Sequence, residues 1–331
     1  MIVKKITIFI AAILLLLCAT QVFAQISGFD KVGTTSFSFL QVVPNAKVAA
    51  MGGVYTTTLN SSEAVFFNPA GLTMAPNAGV SVSYLDYFLD TQLSSLSMNY
   101  KYKHYGVIGI QAMYVDVGKI EETSVDYLFR DNETGAYNPG ITGSTFSPSA
   151  FVLGLSFARD ITNKFSFGLT TKYVNEDLVV KSKSVLVFDA GVIYKSGFKS
   201  LVIGTALRNF GQEIKYYGKG YPLPQTFTIG ISGYLISTDE SFWINTPDQH
   251  LLFAFDLAQT RDHGQQQHIG LEYSLKNMLY LRTGYKFNHD EESYTLGFGV
   301  KFSRMQLDYS YNDFGNYLNE IHRFTLGFQI Q

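Results

Sequence analysis

A period of two, apolar on one face and small or polar on the other, returns along most of this 331-residue chain. Leu96, Met98, Tyr100 and Tyr102 alternate with Ser95, Ser97, Asn99 and Lys101, and Phe151, Leu153, Leu155 and Phe157 with Val152, Gly154, Ser156 and Ala158. Phe227, Ile229 and Ile231 oppose Thr228, Gly230 and Ser232 in the same way. Near the end Tyr294, Leu296, Phe298, Val300 and Phe302 oppose Thr295, Gly297, Gly299 and Lys301, and Phe324, Leu326, Phe328 and Ile330 oppose Arg323, Thr325, Gly327 and Gln329. Successive strand residues point to opposite faces, so these segments read as β-strands with one apolar face. After Ala24 no run approaches the ~20 apolar residues that a membrane-spanning helix needs.

A secreted sandwich would also alternate, but it would turn a charged face to water and a bulky one to its core. Here the apolar face carries Phe, Leu, Ile and Tyr, and the other mixes Gly, Ser, Thr and Ala with charges of both signs, among them Lys172, Asp189, Arg208, Asp256, Glu272, Arg282, Asp308 and Arg323. That division suits a closed barrel with lipid outside and a lumen inside, aromatic residues forming girdles at the interfaces. Composition agrees, with 15% aromatic and only 16% charged residues.

The compartment follows from residues 1–24. Lys4 and Lys5 precede an apolar run from Ile6 to Leu17, and Val22-Phe23-Ala24 offers small residues where signal peptidase needs them. The run is too short for an anchor. Cleavage leaves a chain from about Gln25 without Cys18, the only cysteine, which follows Leu17 where a lipoprotein site would have Gly, Ala or Ser. Losing two lysines takes the formal charge from −2 to −4, too balanced to favour nucleic acid.

Segments long enough to cross a bilayer when tilted fall at 78–88, 92–102, 105–121, 148–159, 164–177, 183–195, 200–210, 224–235, 250–259, 265–276, 278–288, 292–302, 304–313 and 320–330, an even fourteen. With the first strand running outward, the tight connections lie on the periplasmic side, and 122–147 and 211–223 become outer loops. Gly135 to Thr145 is expected to be a mobile outer loop. Ser237 to Gln249 is long on the inner side, expected either to dock under the barrel or to mark a register slip.

Residues 25–77 then lie outside the wall, and 45–74 reads NAKVAAMGGVYTTTLNSSEAVFFNPAGLTM. Gly52 and Gly53 permit positive φ and close approach. Ser61-Ser62-Glu63 is expected to cap a short helix from Ala64 to Phe67, ended at Asn68 by Pro69, with Ala70 and Gly71 allowing a tight turn. The set Gly52, Gly53, Asn68, Pro69, Ala70 and Gly71 suits a plug for the lumen.

The stretches AKVAAMGG and SSEAVFFNPAGL, with FSFLQ at 37–41 before them, resemble the N-terminal signature of the PorV/PorQ family and, more distantly, of FadL-type hydrophobic-compound transporters. The matching positions are Ala46, Ala49 or Ala50, Met51, Gly52, Gly53, Glu63, Ala64, Asn68, Pro69, Ala70, Gly71 and Leu72. The resemblance implies a fourteen-stranded barrel with its N-terminal segment folded into the lumen as a hatch. It also implies one of two functions. FadL-type members pass hydrophobic compounds through the outer membrane, whereas PorV and PorQ serve type IX secretion, PorV binding the C-terminal signal of exported cargo and PorQ partnering a surface component.

No nucleophile, metal or phosphate motif is present, so the expectation is a protein that is not an enzyme and carries no cofactor and no metal. His263 and His268, five apart beside a Gln-rich stretch, read as solvated loop residues. Inward charges at Lys101, Lys172, Asp189, Arg208, Asp256, Glu272, Arg282, Lys286, Lys301, Asp308 and Arg323 suggest a lumen closed by pairing, which favours an accessory PorV/PorQ-like envelope role over the alternative, FadL-like transport of long-chain fatty acids or other hydrophobic compounds across the outer membrane. The expected partners are outer-membrane lipids and other envelope or secretion proteins reached through outer loops, not nucleic acid.

Overall fold

The computed structural model describes residues 31–130, 135–289, 292–314 and 320–330. The leader read at 1–24 lies outside the described residues. Fourteen strands build the wall, numbered with the others in chain order: β1 (Ala78–Asp86), β2 (Gln92–Tyr102), β3 (Gly106–Asp116), β6 (Ser149–Asp160), β7 (Phe165–Asp177), β8 (Ser182–Lys195), β9 (Val202–Gly211), β12 (Thr226–Ser237), β14 (Gln249–Thr260), β15 (Gln265–Leu275), β16 (Leu279–Phe287), β17 (Tyr294–Phe302), β18 (Met305–Asn312) and β19 (Ile321–Ile330). The remaining five lie outside it: β4 (Ile120–Arg130), β5 (Tyr137–Phe146), β10 (Ile214–Lys215), β11 (Gly220–Tyr221) and β13 (Ile244–Asn245). All fourteen expected strands are present. The largest difference is at β3, where Gly118 at φ +83° turns the chain soon after Asp116.

Wall neighbours pair antiparallel, and the ring closes where β1 meets β19, from Ala78 opposite Ile330 to Asp86 opposite His322. The alternation decides which face looks out. Leu153, Leu155 and Phe157 are exposed on the outer face, while Gly154, Ser156 and Ala158 turn inward. Hydrocarbon offers backbone groups no hydrogen bonds, so a sheet crossing it has to close on itself. The fold is a transmembrane β-barrel of the outer-membrane kind.

Six connections at one end are mostly tight, including 103–105, 161–164, 276–278 and 303–304, and those at the other are longer, which makes the first end periplasmic. The long inner connection docks under the barrel, and the register also shifts there, since Tyr234 faces Leu252 and Ile236 faces Leu251 across a bulge at the end of β12. Phe242 N–H donates to Tyr234 O and Trp243 N–H to Leu235 O, both at 2.9 Å, and β13 pairs parallel to the end of β12. The outer segment 122–147 differs from the expected loop. It forms a hairpin of β4 on β5, and residues expected in a mobile loop belong to β5, with Gly140 and Gly143 at positive φ. The alternation of Glu, Thr, Val, Tyr and Phe in β4 carries strand propensity that a loop reading overlooks.

A charge on the lipid face tests the orientation of the wall. Leu155→Arg, at mid-strand and 60% exposed, is expected to lower unfolding stability in lipid vesicles by about 2–4 kcal/mol, and Phe302→Arg, at a strand end, by roughly 0–1 kcal/mol. Equal effects at the two positions would contradict this orientation.

Candidate functional site

Residues 31–77 run down the inside of the barrel from its outer mouth. At the top Lys31 N–H donates to Asp262 O and Ser36 N–H to Pro222 O, both in outer connections. At the bottom Asn99 Nδ2 donates to Pro76 O at 2.8 Å. Between them lie a 3₁₀ turn (Ser38–Gln41), helix α1 (Ala46–Ala50) and then a pair of 3₁₀ helices, Ser62–Phe66 and Pro69–Met74. Asn45 caps α1 by accepting from Val48 N–H at 2.8 Å. Ser61 does not cap backbone as expected; its hydroxyl donates to Glu63 Oε2 at 2.9 Å. Asn68 ends the first 3₁₀ helix and caps the second, accepting from Ala70 N–H at 3.1 Å and donating to Thr56 O at 2.7 Å. Ala70 and Gly71 thus continue a 3₁₀ helix that Pro69 opens, where a bare turn was expected.

The signature residues sit where this segment touches the wall. Gly52 and Gly53 have φ of +68° and +81°. A Cβ on wall residue Gly284 would lie 2.1 Å from Gly52 N, and one on Gly191 only 1.9 Å from Asn68 Oδ1. Glycine on the wall is therefore what lets the segment's backbone reach the sheet. Gly52 N–H donates to Thr295 Oγ1 at 2.9 Å, and Asp256 Oδ2, fully buried, accepts from Tyr55 N–H, Thr56 N–H and Thr56 Oγ1 at 2.8, 3.0 and 2.8 Å.

The segment divides the lumen into two spaces. The inner one, about 430 Å³, is polar, and it gathers four of the expected charges, Glu272, Arg282, Lys301 and Asp308. Arg282 Nε donates to Glu272 at 2.6 Å and its Nη1 to Asp308 at 2.6 Å, while Lys47 of α1 lies 3.6 Å from Glu272. The outer cavity, about 760 Å³, takes Arg208 and Arg323. One side is apolar, with Leu85, Leu93, Val115, Ala150 and Phe314 of the wall and its loops facing Phe39. The other carries Arg208, Thr260, His268, Lys286 and Arg323. The lumen is therefore not closed by charge pairing throughout, because in the outer part of β1–β3 and β6–β8 the inward positions are aliphatic too.

His268 is corrected as well. It is buried on β15 with Nδ1 2.7 Å from Gly52 O, not solvated in a loop, and its ring centroid lies 5.1 Å from that of His289. His263 is at the outer connection, with Nδ1 3.0 Å from Asp262. Lys286 pairs with Glu292, and Arg323 Nε donates to Val43 O at 3.0 Å. The sequence reading missed the apolar cavity wall and the contributions of His289 and Glu292.

Neither a protein-family model nor a curated protein matches this chain. Solved structures do. The Pseudomonas putida toluene transporter TodX aligns with a TM-score of 0.56 at 14% identity, over 86% of this chain and 96% of TodX. The likeness is one of fold. The Ralstonia pickettii toluene transporter TbuX gives 0.55 at 12% identity over 89% of this chain and 100% of its own, and a Pseudomonas aeruginosa FadL homologue 0.50 at 10% over 87% and 98%. What the chain shares with them is the barrel fold, and nothing among them singles out PorV or PorQ.

Two substitutions test how the segment is held. Gly284→Val places a branched side chain where Gly52 N lies, and protease is expected to cut the N-terminal segment in the variant while the barrel keeps its heat-modifiable migration; full protection would contradict the contact. Glu63, accepting from Ser61 and Ser81, is buried in the segment, and burial raises its pKa above 4.5. A raised pKa means that its contribution is fully present below the ordinary Glu value and is lost as pH rises through the folded value. Docking measured by protease protection should therefore strengthen on acidification, and Glu63→Gln should abolish that dependence.

Proposed function

We propose that this barrel admits hydrophobic compounds through the outer membrane and that residues 31–77 act as its hatch. The outer cavity carries this reading. At about 760 Å³ it exceeds the roughly 300 Å³ at which small-molecule sites begin, and an aliphatic and aromatic half wall faces it. Water in such a space lacks partners, so an apolar solute gains by displacing it. The polar space beneath the hatch suits an aqueous exit. The fold likeness to two toluene transporters supports the same direction.

A second reading, the PorV/PorQ-like accessory role, has one observation behind it. The β4–β5 hairpin stands off the wall with Val125, Tyr127, Leu128 and Phe129 exposed, which suits a protein partner reached from outside.

The test is uptake of a labelled apolar compound by cells lacking their own channel. Expression of the chain is expected to raise uptake, and Ala150→Trp, which fills the cavity from the wall, to remove most of that gain while membrane assembly persists. Unchanged uptake together with co-purification of an envelope protein through the hairpin would favour the second reading.

A further inference from the structure

Three neighbouring periplasmic turns gather cations on one arc of the barrel's inner rim. The wall order β2, β3, β6, β7, β8, β9 makes 103–105, 161–164 and 196–201 successive connections at that end. Leu153, Leu155 and Phe157 form the exposed, lipid-facing row of β6, and the next residue on that face is Arg159, also exposed. The turn on one side abuts it. A Cβ on Gly106, just after 103–105, would lie 2.6 Å from Ala158 O and 2.8 Å from the Phe157 ring. On the other side Lys195 N–H donates to Lys164 O at 2.8 Å, and Lys164 Nζ lies 2.6 Å from where a Cβ of Gly197 would stand. Lys103, Lys164 and Lys195 are exposed.

Carboxylates do not match these cations. Residues 101–106, 159–164 and 195–201 hold six lysine and arginine residues and one carboxylate, Asp160, which accepts from the Ser166 hydroxyl at 2.6 Å. Among the described residues, no ion pair involves any of the six. Lys101 is half-buried, and Lys199 donates to the carbonyls of Ser241 and Phe242 in the next connection, where Asp239 and Glu240 also lie. Arg159, Lys103, Lys164 and Lys195 remain. Apolar side chains stand among them, with Tyr105 65% exposed and Ile161 and Phe198 each 63% exposed.

Turns at the edge of the apolar band lie at head-group depth, where aromatic rings and the stems of basic side chains rest in the bilayer with their polar ends at its surface. A guanidinium there meets phosphate oxygens, which its planar N–H groups match in pairs. Phosphatidylcholine brings its own cation to that phosphate, whereas phosphatidylglycerol leaves the charge for the protein. We propose that this arc docks the phosphate of an anionic phospholipid in the periplasmic leaflet, with Arg159 as the direct contact and Lys103, Lys164 and Lys195 adding attraction. The site lies on the outside of the barrel and is independent of the transport reading.

The full-length chain is reconstituted in nanodiscs of equal parts phosphatidylglycerol and phosphatidylcholine with the same acyl chains, then released into mild detergent for native mass spectrometry of the retained lipid. Phosphatidylglycerol is expected to be retained about fivefold or more over phosphatidylcholine, the factor that one basic group gains at an anionic membrane surface. Arg159→Gln should remove most of that preference, Arg159→Lys should keep part of it, and Lys164→Gln should narrow it. Arg304→Gln, in a periplasmic turn on the opposite side of the ring, should leave it unchanged. Equal retention of the two lipids, or a preference lowered as much by Arg304→Gln as by Arg159→Gln, overturns the proposal and leaves the transport reading standing. So does the absence of a lipid preference together with an acidic protein that co-purifies from native membranes and is lost in Arg159→Gln.

Discussion

Every backbone N–H and C=O that faces hydrocarbon has to be paired inside the protein, and the pairing of β1 with β19 is where this chain meets that demand. Once the ring closes with fourteen strands, the size of the lumen is fixed. A ring of this size encloses more space than its own inward side chains can fill, particularly when so many of them are Gly, Ser and Thr. The N-terminal segment answers the second constraint created by the first. Its own backbone polar groups, taken away from bulk water, then need partners, and the wall supplies them through Asp256, Thr295 and Thr325, the last accepting from Ala46 N–H at 3.0 Å.

Glycine connects these two demands. Where Gly284 faces Gly52 and Gly191 faces Asn68, the missing side chains bring backbone or amide groups of the segment into contact with the sheet. The contact is specific because nothing larger fits. It also explains why the Gly-Gly pair and the Asn-Pro-Ala-Gly turn lie together in thirty residues of sequence, since they are the two places where the segment leans on opposite parts of the wall.

The wall was legible in the sequence because period-two alternation records burial directly. Leu153 and Leu155 could face only lipid once Gly154 and Ser156 were on the other side. The outer cavity was not legible by the same rule, because there both faces are apolar. Leu85 follows outward-facing Tyr84, Val115 follows Tyr114, and Val174 follows Tyr173, so the alternation fades at the outer ends of the strands. That fading was itself the available signal. His268 was missed for a different reason. Its neighbours Gln265 to Gln267 look like loop, and only the partner 216 residues away, Gly52, shows that the ring is needed inside. Likewise the inward charges were assigned to the right face, but sequence could not show that Glu272, Arg282 and Asp308 meet on one side of the hatch and Arg208 and Arg323 on the other.

The hatch is held unevenly along its length, and this bears on which part yields. Residues 45–76 are interlocked with the wall. Asp256 satisfies two buried N–H groups, each of which would cost about 1–3 kcal/mol if left unpaired, and the glycine contacts leave no slack. Residues 36–44 are held by apolar packing of Phe37 and Leu40, by Ser36 and Gln41 donating to Pro222 O and Asp262, and by Arg208 and Arg323 donating to the carbonyls of Leu40 and Val43. Under the proposed transport role, a path past the segment would start at this upper arm, and the lower part, where backbone meets glycine, would set the barrier.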